Sequence, residues 1–459
     1  MAQISKITYS KINLWDRIDA EYFQPAYLTI ENNIKKHNFE VLWNLCKIDA
    51  SAFYPAATEL YSIWEIPFAR CVDCVNFPFV DNTRFDEFEK IPKYFLDGNI
   101  NSIKTLKENE IIITKVWTPC FASIISDYEI MALSRTVLWL SNITINPYYL
   151  MIFLRSYYWF SQLQRERELT IQYQLTLDRV WRVLIPLFPT DFQYKIEKIA
   201  KESHKKEIIS KQLYQEAENL LLTELGLKDH SFSHAITFST TKKEVDQAGR
   251  YDAEYFQPKY DEMIEKIEQY QGDWDFVENI FEYKKWFEPW TEAYVEEWKK
   301  FVRVSDFSKF WLEWTDKKIS EEMFDELKDN YAPKKWEILF TKDWTIGISY
   351  LLKEDLEGIL SWAFLRIQVK EAYQAYDKEC LTLILNSIIC SLQIERFSGW
   401  ALIAHLKPSD FQKLKLPLID PQIQQLISAK VQESFKLRNE SKQLLEQAKK
   451  IVEDEIEKE

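Results

Sequence analysis

The stretch Asp-Ala-Glu-Tyr-Phe-Gln-Pro-Ala-Tyr at residues 19–27 returns as Asp-Ala-Glu-Tyr-Phe-Gln-Pro-Lys-Tyr at residues 252–260. Eight of the nine positions are identical across an offset of 233 residues in a chain of 459. A short binding peptide copied on its own would also give such a match, so the flanking sequence has to be tested.

The flanks repeat in the same order. Phe-Ala-Arg-Cys-Val-Asp at 68–73 corresponds to Phe-Val-Arg-Val-Ser-Asp at 301–306, and the Ile-rich segment 111–118 corresponds to 338–345. Near the end of each half, Ile-Pro-Leu at 185–187 corresponds to Leu-Pro-Leu at 416–418, and Gln193 corresponds to Gln424. The offset drifts between 227 and 233, as insertions in surface loops would cause. So long a period indicates a duplicated domain rather than a solenoid.

Length and composition are consistent with two domains, because 459 residues exceed what one hydrophobic core usually supports. No apolar run is long enough to span a membrane, and the residues after Met1 lack the signal-peptide pattern, so we expect a cytoplasmic chain without membrane association. The six cysteines are irregularly spaced. Cys71 and Cys74 form the one close pair, but Val304 replaces Cys71 in the second copy, which favours a strand residue over a zinc ligand and predicts no metal site.

The formal net charge of −14 argues against non-specific coating of nucleic acid or of an anionic membrane. It leaves room for a local basic groove, or for DNA binding assisted by a basic partner subunit.

Hydrophobic periodicity predicts an α+β fold. Short β-rich runs at 111–114, 338–341 and 363–367 alternate with a helical piece at 147–155. Apolar residues at broken three-four spacing predict long amphipathic helices from Asp191 to about Leu225, with Gly226 as the C-terminal stop, and from Pro421 to about Ile456. The two helices would pair as an antiparallel coiled coil, or each would dock on its own domain.

The predicted domain plan has five parts. They are a first repeat (1–190), a long helix (191–226), a polar linker (227–250), a second repeat (251–420) and a second long helix (421–459).

These residues resemble the specificity subunit of type I restriction-modification systems. In the first copy the resemblance lies in Arg17–Tyr27, Phe68–Asp73, Thr114–Thr118 and Ile185-Pro186. In the second copy the matching pieces are Arg250–Tyr260, Phe301–Asp306, Thr341–Gly347 and Leu416-Pro417. The resemblance covers nearly the whole chain, including the long helix after each copy.

The resemblance implies a non-catalytic reader of double-stranded DNA. Two target recognition domains, built from mixed curved sheets with helices, would each bind one half of a split site, and the paired helices would act as a spacer. It also implies two methylation subunits as partners, with or without restriction subunits. S-adenosylmethionine, ATP and Mg would be bound by those partners, and no cofactor by this chain.

The chain lacks the sequence patterns of the chemistry its partners would perform. It has neither a phosphate-binding Gly-x-x-x-x-Gly-Lys-Ser/Thr loop nor a glycine-rich S-adenosylmethionine loop, so no catalytic residue is predicted. Asn146-Pro147-Tyr148-Tyr149 differs by one residue from the Asn-Pro-Pro-Tyr motif of adenine methyltransferases. We interpret it as a helix start with Pro147 in the first turn.

Candidate DNA-contacting residues are polar side chains at matching positions of the two copies. Lys115, Thr118, Lys342 and Thr345 lie in the predicted turn after a strand and are the first choice, and Arg135 and Arg366 are weaker candidates. Arg70 and Arg303 lie in a predicted shared strand, where a structural hydrogen bond or ion pair is an equal alternative. Because base-reading residues must differ between halves that read different sequences, shared residues suit phosphate contact or scaffold roles.

The repeated Asp-Ala-Glu-Tyr-Phe-Gln-Pro element has two interpretations. Tyr22 and Phe23, with Tyr255 and Phe256, could dock equivalent partner subunits, or they could cover the sheet while Pro25 and Pro258 end an extended segment. The structural interpretation is favoured.

Tryptophan is abundant where glycine is scarce. The chain has 17 Trp and 7 Gly, whereas glycine is usually about 7% of residues. Trp117, Trp336 and Trp344 stand in turn-like contexts that suit glycine. Either these tryptophans are glycines encoded by UGA, or the chain is genuinely Trp-rich and uses indoles for packing or base stacking.

Two other classes of function compete with the DNA reader. An acidic DNA mimic would explain the net charge of −14 but not the duplicated domain. An orphan or fused adenine methyltransferase, or a protein associated with one, would need cofactor loops that the sequence lacks. The sequence does not define the recognised bases or the spacer length.

Overall fold

The computed structural model describes residue 7 and residues 20–50, 65–75, 77–93, 105–116, 120–127, 131–166, 176–284, 294–295, 298–312, 317–398 and 405–458. These residues form a mixed α+β structure. The chain divides into two compact units. Unit 1 comprises Met1–Ile208 and Leu437–Glu459, and unit 2 comprises Ile209–Lys436.

The strands of unit 1 are short. In chain order the described strands are β1 Phe39–Val41, β2 Lys47–Ala50, β3 Ile66–Ala69, β4 Phe79–Val80, β5 Lys90–Ile91, β6 Thr105–Leu106, β7 Ile111–Thr114, β8 Ala122–Ile125, β9 Met131–Leu133, β10 Val137–Ser141 and β11 Leu184–Pro186. The helices among them are α1 Pro25–Lys35, α2 Leu42–Leu45, α3 Val72–Val75, α4 Pro147–Phe153, α5 Tyr157–Arg165 and α6 Leu177–Trp181. A 3-10 helix covers Asn82–Glu87.

These strands form three sheets in unit 1. The central sheet has the order β2-β10-β7-β8-β4, and a second sheet has the order β5-β3-β9-β6. Strand β3 runs parallel to β9, with Phe68 opposite Ala132. A small antiparallel ladder joins β1 to β11, with Phe39 opposite Pro186.

After β11 the chain forms the long helix α7 Thr190–Glu224, and then the short helix α8 Lys242–Ala248. The helices of unit 2 continue with α9 Pro258–Glu268, α10 Val277–Ile280, α11 Glu321–Tyr331, α12 Lys378–Leu385, α13 Ile388–Ser398 and α14 Pro408–Phe411. The last helix, α15 Pro421–Glu457, begins in unit 2, and its residues from Leu437 onward belong to unit 1. Its 3-10 helices cover Glu254–Phe256, Val304–Asp306 and Glu371–Tyr373. Its described strands are β12 Asp273–Phe276, β13 Phe281–Lys284, β14 Tyr294–Val295, β15 Lys299–Val302, β16 Phe307–Ser308, β17 Trp311–Leu312, β18 Lys318–Ile319, β19 Ile338–Thr341, β20 Ser349–Leu351, β21 Gly358–Leu360, β22 Phe364–Val369 and β23 Lys415–Leu418.

The sheets of unit 2 have a strand order close to that of unit 1. Its central sheet is β13-β22-β19-β20, a second sheet is β14-β18-β15-β21, and β12 pairs with β23. As in unit 1, the second sheet contains a parallel pair, β15 with β21, in which Phe301 lies opposite Ile359. A short ladder of β16 with β17 is additional.

Each unit has its own main hydrophobic core, in which one face of the central sheet packs against helices. In unit 1, Ile111, Ile113 and Leu138 pack with α4 and with Ile196 of the long helix. In unit 2 the corresponding core includes Phe340 and Leu365 from the sheet, α12, and the other end of α7 and part of α15. The opposite face of each central sheet is also buried, by a smaller cluster.

Both long helices follow the predicted bounds closely. Helix α7 ends at Glu224, and Gly226 follows in the left-handed conformation with φ 64°. The amide of Leu227 donates to the carbonyl of Leu222 at 2.7 Å, which completes a glycine-terminated helix end. Gly226 is therefore confirmed as the stop signal.

Segments of the two helices run side by side within each unit. In unit 1, Ser203 lies against Ser441, with their hydroxyl oxygens 2.9 Å apart, and Lys206 pairs with Glu440 at 2.7 Å. In unit 2, the Ser210 and Ser434 hydroxyls are 3.1 Å apart, and Lys430 pairs with Glu216 at 2.6 Å. Residue numbers rise on one helix as they fall on the other, so within each unit the segments are antiparallel.

The structure corrects four local expectations. Arg70 and Arg303 do not lie in a strand, because each follows the last residue of one, β3 or β15. Cys71 lies in a turn, and Cys74 lies in α3 rather than in a strand. The predicted linker contains α8, which begins with a Thr241–Glu244 capping box and has no buried residue, so it shows no apolar periodicity. Pro25 and Pro258 begin helices rather than ending extended segments.

Among the described residues, no single helix is long and apolar enough to cross a membrane. Helices α12 and α13, which are bent by 46° relative to each other, together have the length and apolar composition of a membrane span.

Candidate nucleic-acid interface

The turn after the central strand is built in the same way in both units. In unit 2, the Thr341 hydroxyl accepts a hydrogen bond from the Ile348 amide at 2.9 Å, and the Thr341 carbonyl accepts one from Gly347 at 2.9 Å. In unit 1, the Thr114 hydroxyl accepts from the Phe121 amide at 2.9 Å, and its carbonyl accepts from Cys120 at 3.0 Å. Each turn is therefore closed by a buried threonine at the end of β7 or β19.

The first-choice DNA candidates in this turn have different environments. Thr345 is exposed, whereas Lys115 is half-buried and its amide donates to the carbonyl of Thr136 at 2.9 Å. Thr118, like Trp117, lies outside the described residues.

Lys342 is not available for DNA contact in this structure, which contradicts the sequence-based expectation. It is 2% exposed, and its ammonium lies 2.6 Å from the carboxylate of Asp343 and 4.3 Å from the ring centroid of Trp362. Asp343 also contacts His405. A buried charge is costly unless it is paired, and the ion pair with Asp343 allows the Lys342 ammonium to lie inside the unit.

Arg366 is the second correction. It is 4% exposed in β22, and its guanidinium donates to the carboxylate of Glu337 and to the carbonyls of Asn330 and Ala332 at 3.0–3.2 Å. Burial alone would raise the pKa of Glu337, but hydrogen bonds from Arg366 and Lys284 together outweigh it, so this pKa lies below its usual range. Arg366 thus holds the sheet to the α11–β19 connection.

Arg135, by contrast, is exposed in the turn between β9 and β10. Arg135, Thr345 and the half-buried Lys115 therefore stay predicted DNA contacts.

Arg70 and Arg303 make equivalent local contacts. The amide and Nε of Arg70 both donate to Asp73, at 2.8 and 3.3 Å, and those of Arg303 both donate to Asp306, at 3.0 Å each. The two carboxylates are buried while the arginines are about one third exposed. This geometry favours the structural alternative.

The repeated Tyr-Phe pair is packed against its own unit by an arginine from the facing helix. Tyr22 and Phe23 are buried, and the guanidinium of Arg165 on α5 lies 4.1 Å from the Tyr22 ring centroid. In unit 2, Tyr255 and Phe256 are half-buried, and Arg396 on α13 lies 4.7 Å from the Tyr255 ring.

The same two arginines also bind an acid on the helix that begins at the repeated proline. Arg165 donates to Glu31 at 2.6 Å, and Arg396 donates to Asp261 at 2.8 Å. Sequence reasoning missed both arginines, although they stand 231 residues apart, the offset that relates Gln193 to Gln424.

A helix cap and a glutamine form a further pair of equivalent contacts. The Asn146 side chain caps α4 by accepting from the amides of Tyr148 and Tyr149 at 3.0 and 3.1 Å, and the Asp377 side chain caps α12 in the same way. Gln193 accepts a hydrogen bond from the Asn146 amide, and Gln424 accepts one from the Asp377 amide, at 3.0 and 2.8 Å. The interpretation of Asn146 as a helix start is confirmed.

The described residues contain no cluster of three or more His, Cys, Asp or Glu side chains placed to hold a metal ion. The Cys71 and Cys74 thiols are buried and donate to the carbonyls of Val116 and Arg70. Burial raises the pKa of Cys74.

The chain matches no protein-family model and no curated protein. Among solved structures it is similar to the S subunit of a type I restriction-modification system from M. genitalium, with 13% identity, a TM-score of 0.40 and coverage of 92% of this chain and 96% of that chain. The HsdS subunit from Thermoanaerobacter tengcongensis aligns over 92% of this chain and 96% of its own, with 12% identity and a TM-score of 0.28. The type IIG restriction endonuclease BpuSI aligns over 42% of this chain and 30% of its own, with 12% identity and a TM-score of 0.30.

Proposed function

We propose that this chain is the sequence-specific DNA-binding subunit of a type I restriction-modification complex. Each of two duplicated units would read one part of a bipartite site in double-stranded DNA. The observation that carries the proposal is that the duplicated sequence is matched by duplicated side-chain contacts.

Those contacts recur at corresponding places in the two units. Three kinds of contact occur once in unit 1 and once in unit 2. They are the hydrogen bonds Asn146–Gln193 and Asp377–Gln424, the ion pairs Arg70–Asp73 and Arg303–Asp306, and the turns closed by Thr114 and Thr341. Two copies of one module suit a ligand with two separated parts, and a split DNA site is such a ligand.

The paired segments of α7 and α15 support a spacer role. The buried serines at the contacts, Ser203 with Ser441 and Ser210 with Ser434, are small enough to let the backbones approach closely, and each pair is hydrogen-bonded. An antiparallel coiled coil of this kind would set the distance between the two parts of the DNA site.

DNA contact would come from exposed loop side chains rather than from the shared buried lysine and arginine. Thr345, Arg135 and Lys115 can offer donors to phosphate oxygens. Base contacts would lie in loops where the two copies differ. Because the formal charge is −14, tight binding would also need basic surface from partner subunits.

The partners in this proposal are two methylation subunits, with or without restriction subunits. The chemistry would reside in them, with S-adenosylmethionine serving methylation and ATP and Mg serving restriction, so the chain itself would be non-catalytic. The Tyr22 and Tyr255 elements would act mainly as scaffold, because the aromatic pairs pack against α5 and α13.

The test is co-expression of the chain with its neighbouring methylation subunit, followed by mapping of methylated adenines across the host genome. We expect a bipartite motif. Exchanging residues 28–180 for those of a relative should change one part of the motif and leave the other part and the spacer unchanged.

A matched control exchanges the corresponding segment of the second copy, residues 261–412, and should change the other part. An unchanged motif after both exchanges would refute the reader and favour an independent methyltransferase. Loss of host methylation when the chain is added to an intact system would favour the acidic DNA mimic.

A further inference from the structure

Three tryptophans have a backbone conformation that suits glycine. Trp298, Trp336 and Trp344 have φ values of 114°, 68° and 66°. Residues other than glycine rarely adopt positive φ, because the Cβ atom then crowds the backbone. Bulky residues tolerate this conformation least. Three of the glycines in the described segments, Gly226, Gly249 and Gly347, have positive φ as well.

The other positive-φ residues in the described part of the chain show how unusual the tryptophans are. Three of them, Asn109, Asp127 and Asn142, are of the residue types that tolerate this region through local hydrogen bonds. The remaining one, Cys120, stands 227 residues before Gly347, in the same turn of the other copy.

Trp336 can be compared directly with its counterpart in unit 1. It is the third residue of a turn in which the Glu337 amide donates to the Lys334 carbonyl at 3.1 Å, and its own amide donates to Leu352 at 2.8 Å. Positive φ at this position is the mark of a type II turn, which favours glycine or asparagine.

The counterpart of Trp336 is Asn109, with φ 65°. The Glu110 amide donates to the Lys107 carbonyl at 3.2 Å, and the Asn109 amide donates to Ile125 at 2.8 Å. The same turn therefore has asparagine, which this position favours, in unit 1 and tryptophan in unit 2.

The side chains of these tryptophans are partly or mostly exposed. Trp298 and Trp344 are 63% exposed and Trp336 is 43% exposed. By contrast, Trp159 is fully buried and its indole donates to the Cys120 carbonyl at 2.7 Å, and Trp139 in β10 donates to Glu110 at 2.8 Å. Those two fit their sites as tryptophans, whereas the three exposed ones have an unfavourable backbone. Trp298 and Trp344 also have mostly exposed rings, and the Trp336 ring lies 5.0 Å from the Lys335 ammonium.

We infer that residues 298, 336 and 344 are glycine in the natural protein, encoded by UGA codons that the source organism reads as glycine. The composition points in the same direction, since 7 Gly among 459 residues is far below ordinary glycine usage of about 7%. This inference does not depend on the proposed function. If both hold, the Lys342–Gly347 turn meets DNA through backbone amides and Thr345, and no indole stacks on a base there.

The decisive experiment is to sequence the gene and to measure peptide masses from the protein isolated from its own organism. We expect UGA at codons 298, 336 and 344 and glycine in the corresponding native peptides. A UGG codon, or a native peptide with the mass of tryptophan, overturns the inference for that position. The codons of Trp139 and Trp159 serve as the comparison within the same gene, and we expect both to be UGG.

A second measurement tests the backbone argument on the recombinant chain. At positions 336 and 344, Trp→Gly should have a higher Tm than Trp→Ala by about 2 °C, because alanine keeps the crowded Cβ atom and glycine removes it. At Trp362, a half-exposed tryptophan without positive φ, the order should reverse. A higher Tm for alanine at 336 and 344 would overturn the backbone argument.

Discussion

At the scale of single residues, burial separates structural cations from possible DNA contacts. Lys342 and Arg366 match the sequence pattern of DNA-contacting cations, but each is almost fully buried beside a carboxylate. Arg135 has a weaker sequence signal and an exposed position. Residue type and spacing alone did not distinguish them, because what differs is the buried acid that each cation meets in the folded chain.

Arg366→Ala should therefore destabilise unit 2. Removing the guanidinium leaves Glu337 buried without its main partner, and we expect a loss of about 3–5 kcal/mol in the free energy of unfolding. Urea unfolding followed by circular dichroism would measure it.

The matched control for that variant is Arg135→Ala. Because Arg135 is exposed, this variant should change stability by no more than about 1 kcal/mol, and it should lower DNA affinity of the assembled complex with a salt slope reduced by about 1. Wild-type stability of Arg366→Ala would contradict the buried-pair assignment.

Glu337 also predicts a pH dependence. Its folded pKa lies below its unfolded value, so its carboxylate stabilises the fold above the unfolded pKa, and this contribution is lost as the pH falls through the folded pKa. Glu337→Gln should cost about 2 kcal/mol at pH 7, and the difference from wild type should shrink at acid pH. A difference that stays constant from pH 7 to pH 3 would refute this account.

At the scale of elements, the sequence predicted helix ends better than it predicted the surroundings of strands. Gly226 and Asn146-Pro147 act through hydrogen bonds that span five residues or fewer, so their signals are local. Strand β22 is different, because Leu365 and Ile367 face the main core of unit 2 while Phe364 faces a smaller cluster. With both faces covered, alternation cannot show that Arg366 points inward.

The duplicated caps predict equal effects in the two units. Asn146→Ala and Asp377→Ala should each cost about 1 kcal/mol, because each removes an acceptor from two amides of the first helical turn. Asn146→Asp reproduces the residue of the second copy and keeps the cap acceptor, but it replaces the donor to Glu197 with a second carboxylate, so it should also lower stability.

Lys407→Ala serves as the control for these caps, because Lys407 precedes α14 without a side-chain capping bond. Thermal unfolding of the four variants would compare them. If Asn146→Ala left stability intact and abolished methylation in the assembled complex, the helix-start interpretation would fail in favour of a catalytic motif.

At the scale of the whole molecule, the net charge of −14 constrains the proposed DNA binding. An average field of this sign repels phosphates, so the isolated chain should bind duplex DNA weakly at 150 mM salt. Adding methylation subunits should raise the affinity for DNA. The assembled complex should then bind DNA that carries the methylated motif at least about 1,000-fold more tightly than DNA without the motif. Fluorescence anisotropy with the two duplexes, measured with and without partners, would test this.

Salt dependence distinguishes the two sources of that affinity. If partner subunits supply most phosphate contacts, the slope of log K against log salt should be small for the chain alone and steep for the complex, at about −0.9 per phosphate contacted. The preference for the motif should persist across the salt range, because base contacts depend less on screening than phosphate contacts do. Equal affinity of the complex for both duplexes at every salt concentration would show that the duplicated units do not read sequence.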